Sequence, residues 1–140
     1  MGTAKRGSAR HKARKRAVDI LYAADLLGRS IDEELLHQSD PVFTAGIRDF
    51  TELLVSGVAE NIDQIDASLE KALADSGWSL PRMPTLDRAI ARLAAYEISL
   101  SDIENAVAIS EAVLLADELS SGASSAFLNG VLGKLSRSEV

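Results

Sequence analysis

Thr85-Leu86-Asp87-Arg88-Ala89-Ile90-Ala91-Arg92-Leu93-Ala94-Ala95-Tyr96-Glu97 is the stretch that decides the fold. Leu86, Ile90, Leu93 and Ala94 recur at steps of three and four, which aligns them on one face of an α-helix; a strand's period of two would scatter them over both faces. Pro84 or Thr85 opens this helix, because a proline there gives up only an N–H that has no helical partner. The pattern carries it to Glu97 or Ile98. Immediately upstream, Pro81 and Pro84 fall close together and make 78–84 a connector.

The same period extends outward in both directions. Ile62, Ile65, Leu69 and Leu73 form a helical stripe behind Asn61 and Gln64, a cap-and-return pair that predicts a break near residue 61, and Ser76-Gly77 ends that helix. Asp40-Pro41 supplies an N-cap and a first-turn proline for a helix carrying Ile47, Phe50, Leu54 and Val58 to about Glu60. Ser30 and Glu33 have capping-box spacing before a short helix with Leu35 and Leu36. The first helix starts between Ser8 and His11, lines up Ala17, Ile20, Leu21, Ala24 and Leu27, and stops at Gly28. Downstream, a sixth helix over 105–119 carries Ile109, Val113 and Ala116. Ser120-Ser121-Gly122 reads as a loop, and a last helix holds Phe127, Val131, Leu132 and Leu135.

Strand signals are nearly absent: aromatic residues are 4% of the chain and no Asn-Gly or Asp-Gly turn occurs. These features predict an all-α fold, an antiparallel bundle of about seven helices arranged as two small sub-bundles that divide near residue 61, in one domain over 1–140. An apolar content of 46% is ample for its core. No apolar run approaches the ~18 to 20 residues that cross a bilayer, and no secretory h-region follows the charged N-terminus. The expectation is a soluble, cytoplasmic protein. Zero cysteines exclude disulfides, thiolate metal sites and a cysteine nucleophile.

Charge is segregated along the chain. Seven of its fifteen basic residues lie between Lys5 and Arg16, where no carboxylate occurs, while the remaining 124 residues set eight bases against twenty-one acids. A flexible basic arm over 1–9 leading into a helix on an acidic body suits a polyanion. Arg10 and Arg14 are four apart, as are Lys12 and Arg16, so a helix aligns them in neighbouring rows. Cations at a helix N-terminus oppose the macrodipole by roughly 0.3 to 1 kcal/mol each, and bound phosphates would relieve this. The other reading of such a run is a solvated tail.

Catalytic patterns are missing. His11 and His37 have no partner at metal-ligand spacing, and no Gly-x-Ser-x-Gly elbow occurs. The 130–136 run only approximates a phosphate loop, since Leu128 stands where its first glycine must be and Ser136 comes one place late. Glu97 and Glu111 each lie beside an apolar row, which suits a structural hydrogen bond to a neighbouring helix better than acid catalysis. The residues point to a binding module without enzyme activity, metal or cofactor.

The 85–97 stretch, Ile109-Ser110-Glu111-Ala112-Val113 and Phe127-Leu128-Asn129-Gly130-Val131-Leu132 together resemble the bacterial NusB antitermination family, as does the run from Arg10 to Arg16 with Ala17-Val18 and Leu21-Tyr22. The likeness spans nearly the whole chain. It implies a protein that binds the boxA element of ribosomal RNA leader transcripts together with NusE, a small-subunit ribosomal protein, in the RNA polymerase antitermination complex. It also implies RNA contacts at Arg10, Lys12, Arg14, Arg16 and Tyr22. Phe127 either stacks on RNA or anchors the core, and Arg92 either reaches RNA or pairs with a carboxylate on an adjacent helix. Asp87 and Arg88 resemble partner-facing positions, exposed at a helix start, with capping and helix-surface pairing as the alternative. Asp117 lies near the same surface.

Departures from the family pattern are Ile103-Glu104 in place of Ile-Pro, Ser110 for asparagine, Asp117 for lysine, Gly133 for aspartate, and Ala123 where an acid is usual. Two further readings stand beside this one: an accessory domain in ribosomal RNA modification, and a homodimer in which the arm of one copy lies on the acidic body of the other.

Overall fold

A computed structural model describes residues 8–38 and 45–138, with backbone alone at 45–47. Among the described residues there are seven α-helices and one 3-10 turn, and no strand. The helices are α1 (Ala9–Leu27), α2 (Ile31–His37), α3 (Ala45–Glu60), α4 (Ile62–Leu73), α5 (Thr85–Leu100), α6 (Asn105–Leu119) and α7 (Gly122–Ser138). Most of the expected arm, the Asp40-Pro41 cap and the side chain of Ile47 lie outside the described residues.

Local chemistry sets the helix ends. Gly28 takes φ 68°, and from this left-handed conformation its N–H returns to the carbonyls of Ala24 and Asp25, closing α1. The Ser30 cap forms, with the pair closing through the hydroxyl: Ser30 Oγ accepts from the Glu33 N–H at 3.1 Å and donates to Glu33 Oε1 at 2.9 Å. At residue 61 the chain breaks, but not with the expected cap. Asn61 makes no side-chain cap bond, and its amide instead donates to the Gly57 carbonyl at 2.8 Å, closing the end of α3. The 78–84 connector tightens into the 3-10 turn Leu80–Arg82, held where the Leu80 N–H donates to Glu70 Oε1 at 2.8 Å and its side chain is buried.

α1, α2 and α3 pack on one another, α5, α6 and α7 do likewise, and α4 lies against α5 and α7. α5 also contacts α1 and α3, and so touches both groups. Its sequence explains this position. Ala89, Ile90, Ala91, Leu93, Ala94, Ala95 and Ile98 are all buried, and four alanines allow close approach on several sides. The core runs through Ile20, Leu54, Leu69, Ile90, Leu93, Leu115, Leu128 and Leu132. The expected core rows shift on three helices: on α6 the buried apolar residues are Ala108, Ala112, Leu115 and Ala116, with Ile109 and Val113 at the edge, and Leu27 of α1 and Leu36 of α2 are exposed. Leu27 is the last residue of α1 and Leu36 the last but one of α2, so each lies where its helix ends.

Tyr96 of α5 lies across α3 at Gly57, where a Cβ would overlap the phenol ring. Gly57→Ala should therefore destabilise the protein by about 1 to 3 kcal/mol through overpacking. Adding Tyr96→Leu should recover part of that loss, which a double-mutant cycle of urea unfolding would measure.

Candidate nucleic-acid interface

The cationic start of α1 is fixed by its first turn. Ser8 is the N-cap, with its Oγ accepting from the His11 N–H at 3.0 Å, and no acidic residue follows in that turn. Arg10, Lys12 and Lys15 are exposed. The two expected rows diverge around the helix: Arg10 and Arg14 face α3, with guanidinium carbons 4.6 and 5.3 Å from the Phe50 ring centroid, whereas Lys12 and Arg16 lie on another side. Arg16 donates to Gln38 Oε1 at 3.0 Å and to the Gln38 carbonyl, so it also holds the end of α2.

Arg14 departs from the expected phosphate contact. It is only 3% exposed, and its Nε and Nη2 grip the Glu97 carboxylate at 2.9 Å each while Nη1 reaches Glu111 Oε1 at 2.8 Å. Burial opposes its charge, but the hydrogen bonds and charges of Glu97 and Glu111 prevail and hold its pKa above the ordinary value. The physical reason for the departure is its place on the inner row of α1 with Ala17, Val18 and Leu21, opposite two buried acids that need a cation. His11 lies in the same row, with Nε2 2.7 Å from Glu118 Oε1 and Nδ1 3.5 Å from Glu111 Oε2. Its role was not visible in the sequence, although its spacing of three from Arg14 marks the same face.

Tyr22 is half-buried against the core. Arg92 takes the second of its two expected roles: it pairs bidentately with Asp66 of α4 at 2.9 Å for both bonds, and touches Asp25 of α1 at 3.4 Å. Arg88 donates to Asp25 at 2.7 Å and to the carbonyls of Leu80 and Met83. These two arginines line a cleft of about 560 Å³ with Asp25, Asp66 and Glu70.

Asp87 is not on an exposed rim. It is 4% exposed, turned away from Arg88, and accepts from Ser124 Oγ at 2.9 Å and Ser120 Oγ at 3.2 Å. Phe127 is half-buried beside Trp78, with ring centroids 5.8 Å apart and planes at 58°. Asp117 is exposed on α6. Thus α1 carries Arg10 on the side of α3 and Lys12 with Arg16 on another side, Arg88 and Arg92 lie on the acids of α1 and α4, and Asp87 lies with Phe127 at a third place. Glu104 precedes α6 without a side-chain cap bond, and the helix starts at Asn105 without the family's proline.

The NusB family model matches residues 11–137. The chain belongs to the NusB family. A transcription antitermination protein NusB from Cutibacterium acnes is 47% identical over 126 residues, 90% of this chain and 48% of that protein, so this chain spans about half of that relative. The NusB of Salinispora tropica is 45% identical over 137 residues, 91% of this chain and 94% of its own. Among solved structures, T. maritima NusB superposes with a TM-score of 0.83 at 26% identity, covering 91% of this chain and 90% of that one. A chain from the antitermination factors NusB and NusE in complex with dsRNA gives 0.79 at 24% identity, covering 93% and 97%, a likeness of fold.

The cations of this NusB-family chain differ sharply in what their loss should do. Arg14→Ala leaves two buried carboxylates unpaired and should cost about 3 to 5 kcal/mol of stability. Arg10→Ala with Lys12→Ala should stay within about 0.5 kcal/mol of the parent per site. Urea unfolding followed by circular dichroism checks both.

Proposed function

We propose that this chain is a transcription antitermination factor that binds boxA-type RNA of ribosomal RNA leader transcripts together with NusE, helping RNA polymerase read through terminators. The observation that carries the reading is the carboxylate-free cationic start of α1, with Arg10, Lys12 and Lys15 exposed on a body that is otherwise strongly acidic. The name carried by its relatives supports it. A helix start whose first turn holds no acid sets its positive dipole end and its cations toward the same phosphates.

In this reading Arg10, Lys12 and Arg16 contact the RNA backbone, and Tyr22, at the edge of the same helix, offers its ring to an unpaired base. Arg14 and Arg92 act indirectly, by holding α1 against α5, α6 and α4. Asp117, exposed on α6, is offered to the protein partner. The chain works by binding and orienting, with no catalytic step.

Titrating a boxA-like single strand at several salt concentrations tests this. With ~4 phosphates engaged, the slope of log affinity against log salt should be near −3, and each of Arg10→Ala and Lys12→Ala should reduce it by roughly 0.7. A flat salt response, or a slope unmoved by both substitutions, overturns the proposal.

A further inference from the structure

Phe50 is the aromatic side chain of α3 that faces the cationic start of α1. It is half-buried and packs against the core, and two guanidinium carbons lie over its ring, that of Arg10 at 4.6 Å and that of Arg14 at 5.3 Å from the centroid. The next residue pins the two helices together at this level: Thr51 Oγ1 donates to the carbonyl of Ala13, which falls between the two arginines in sequence, at 3.1 Å. The ring is therefore a fixed platform beside the first turns of α1.

The arginines of the protein are held in chemically different ways. Arg14 is enclosed by Glu97 and Glu111, so its charge and its donors are used inside the molecule. Arg88 and Arg92 are likewise taken up by Asp25 and Asp66. Arg10 is exposed, and the Phe50 ring is what holds it; among the described residues no carboxylate pairs with it. An aromatic face attracts a cation through its quadrupole and leaves the charge in place. The attraction spends none of the guanidinium N–H donors, so these stay free for phosphate oxygens. A carboxylate in the same position would neutralise the charge and compete for the donors.

We propose that Phe50 is a positioning residue for RNA binding: it holds the Arg10 guanidinium in one place, so that a backbone phosphate meets a cation already in position. The inference rests on the RNA reading given above. A free arginine side chain gives up rotamer freedom when a phosphate fixes it, and a ring that has already restricted the side chain removes part of that loss. Lys12 and Lys15 stand about 200° and 140° around the helix from Arg10, away from the ring, and gain nothing from it.

The full chain and a boxA-like single strand test this. Phe50→Leu should weaken binding about two- to fivefold and leave the salt slope at its parent value, because the charge of Arg10 remains. In an Arg10→Ala background the same substitution should have no further effect, whereas in a Lys12→Ala background its effect should persist in full. Phe50→Tyr, which keeps the ring, should bind like the parent. In the free, unsubstituted chain the Arg10 Nε–H resonance, assigned by its loss in Arg10→Ala, should be displaced upfield by the ring, a readout that stands even if Phe50→Leu fails to fold. Equal weakening in both backgrounds, a salt slope lowered as in Arg10→Ala, a Phe50→Tyr protein as weak as Phe50→Leu, or an Arg10 resonance at its random-coil position would each overturn the proposal while the parent's salt-dependent binding, and with it the RNA reading, still stood. Absence of that binding in the parent would overturn the RNA reading and this proposal together.

Discussion

Arg14 is the point on which the two halves of the molecule meet. One guanidinium, buried within a basic run, binds a carboxylate from α5 and another from α6, and so fixes the first helix against two helices from later in the chain. Such a group contributes little net stability compared with an apolar replacement of the whole trio, because three charges have been stripped of water. Its effect is on arrangement: each acid meets the guanidinium only when α1 sits at one height and one rotation. His11, one turn earlier, adds a second connection to α6 through Glu118. The cations left outside, Arg10, Lys12 and Lys15, therefore project from a helix whose position is set by those turned inward.

The helices themselves were legible because apolar spacing is a local property. The start of α5, the stop at Gly28 and the Ser30 cap follow from neighbours within a few residues and stand where the pattern puts them, while α5 runs on to Leu100, past the expected end at Glu97 or Ile98. Asn61 is instructive by contrast. The break occurs there, but the amide turned back to Gly57 because a carbonyl at the end of α3 needed a donor, a competition that cap spacing does not register. On α6 the alanines rather than Ile109 and Val113 face the core, since small residues suit the tight contact with α5 and α7.

The candidate site was legible in its charge and not in its partners. Arg14 looked like one more cation of the arm, yet two signals pointed inward: it is four residues before Val18, on the apolar row, and the chain holds two acids, Glu97 and Glu111, beside apolar rows of their own. Matching that unpaired cation to those acids requires knowing that α1 crosses α5 and α6, which is long-range information. Asp87 and Arg88 show the same limit at shorter distance. Adjacent in sequence, they diverge by the hundred degrees of one helical step and end at different pockets, one beside aromatic rings and the other on Asp25.

The location of Trp78 has a practical side. The sole indole chromophore sits on the short connector before α5, half open to solvent, while the apolar interior is built of aliphatic chains with no tryptophan of its own. Its emission therefore tracks the environment of the connector first and the collapse of the interior only indirectly. A melting curve read from emission need not coincide with one read from backbone ellipticity, and a gap between them would measure how early the connector lets go.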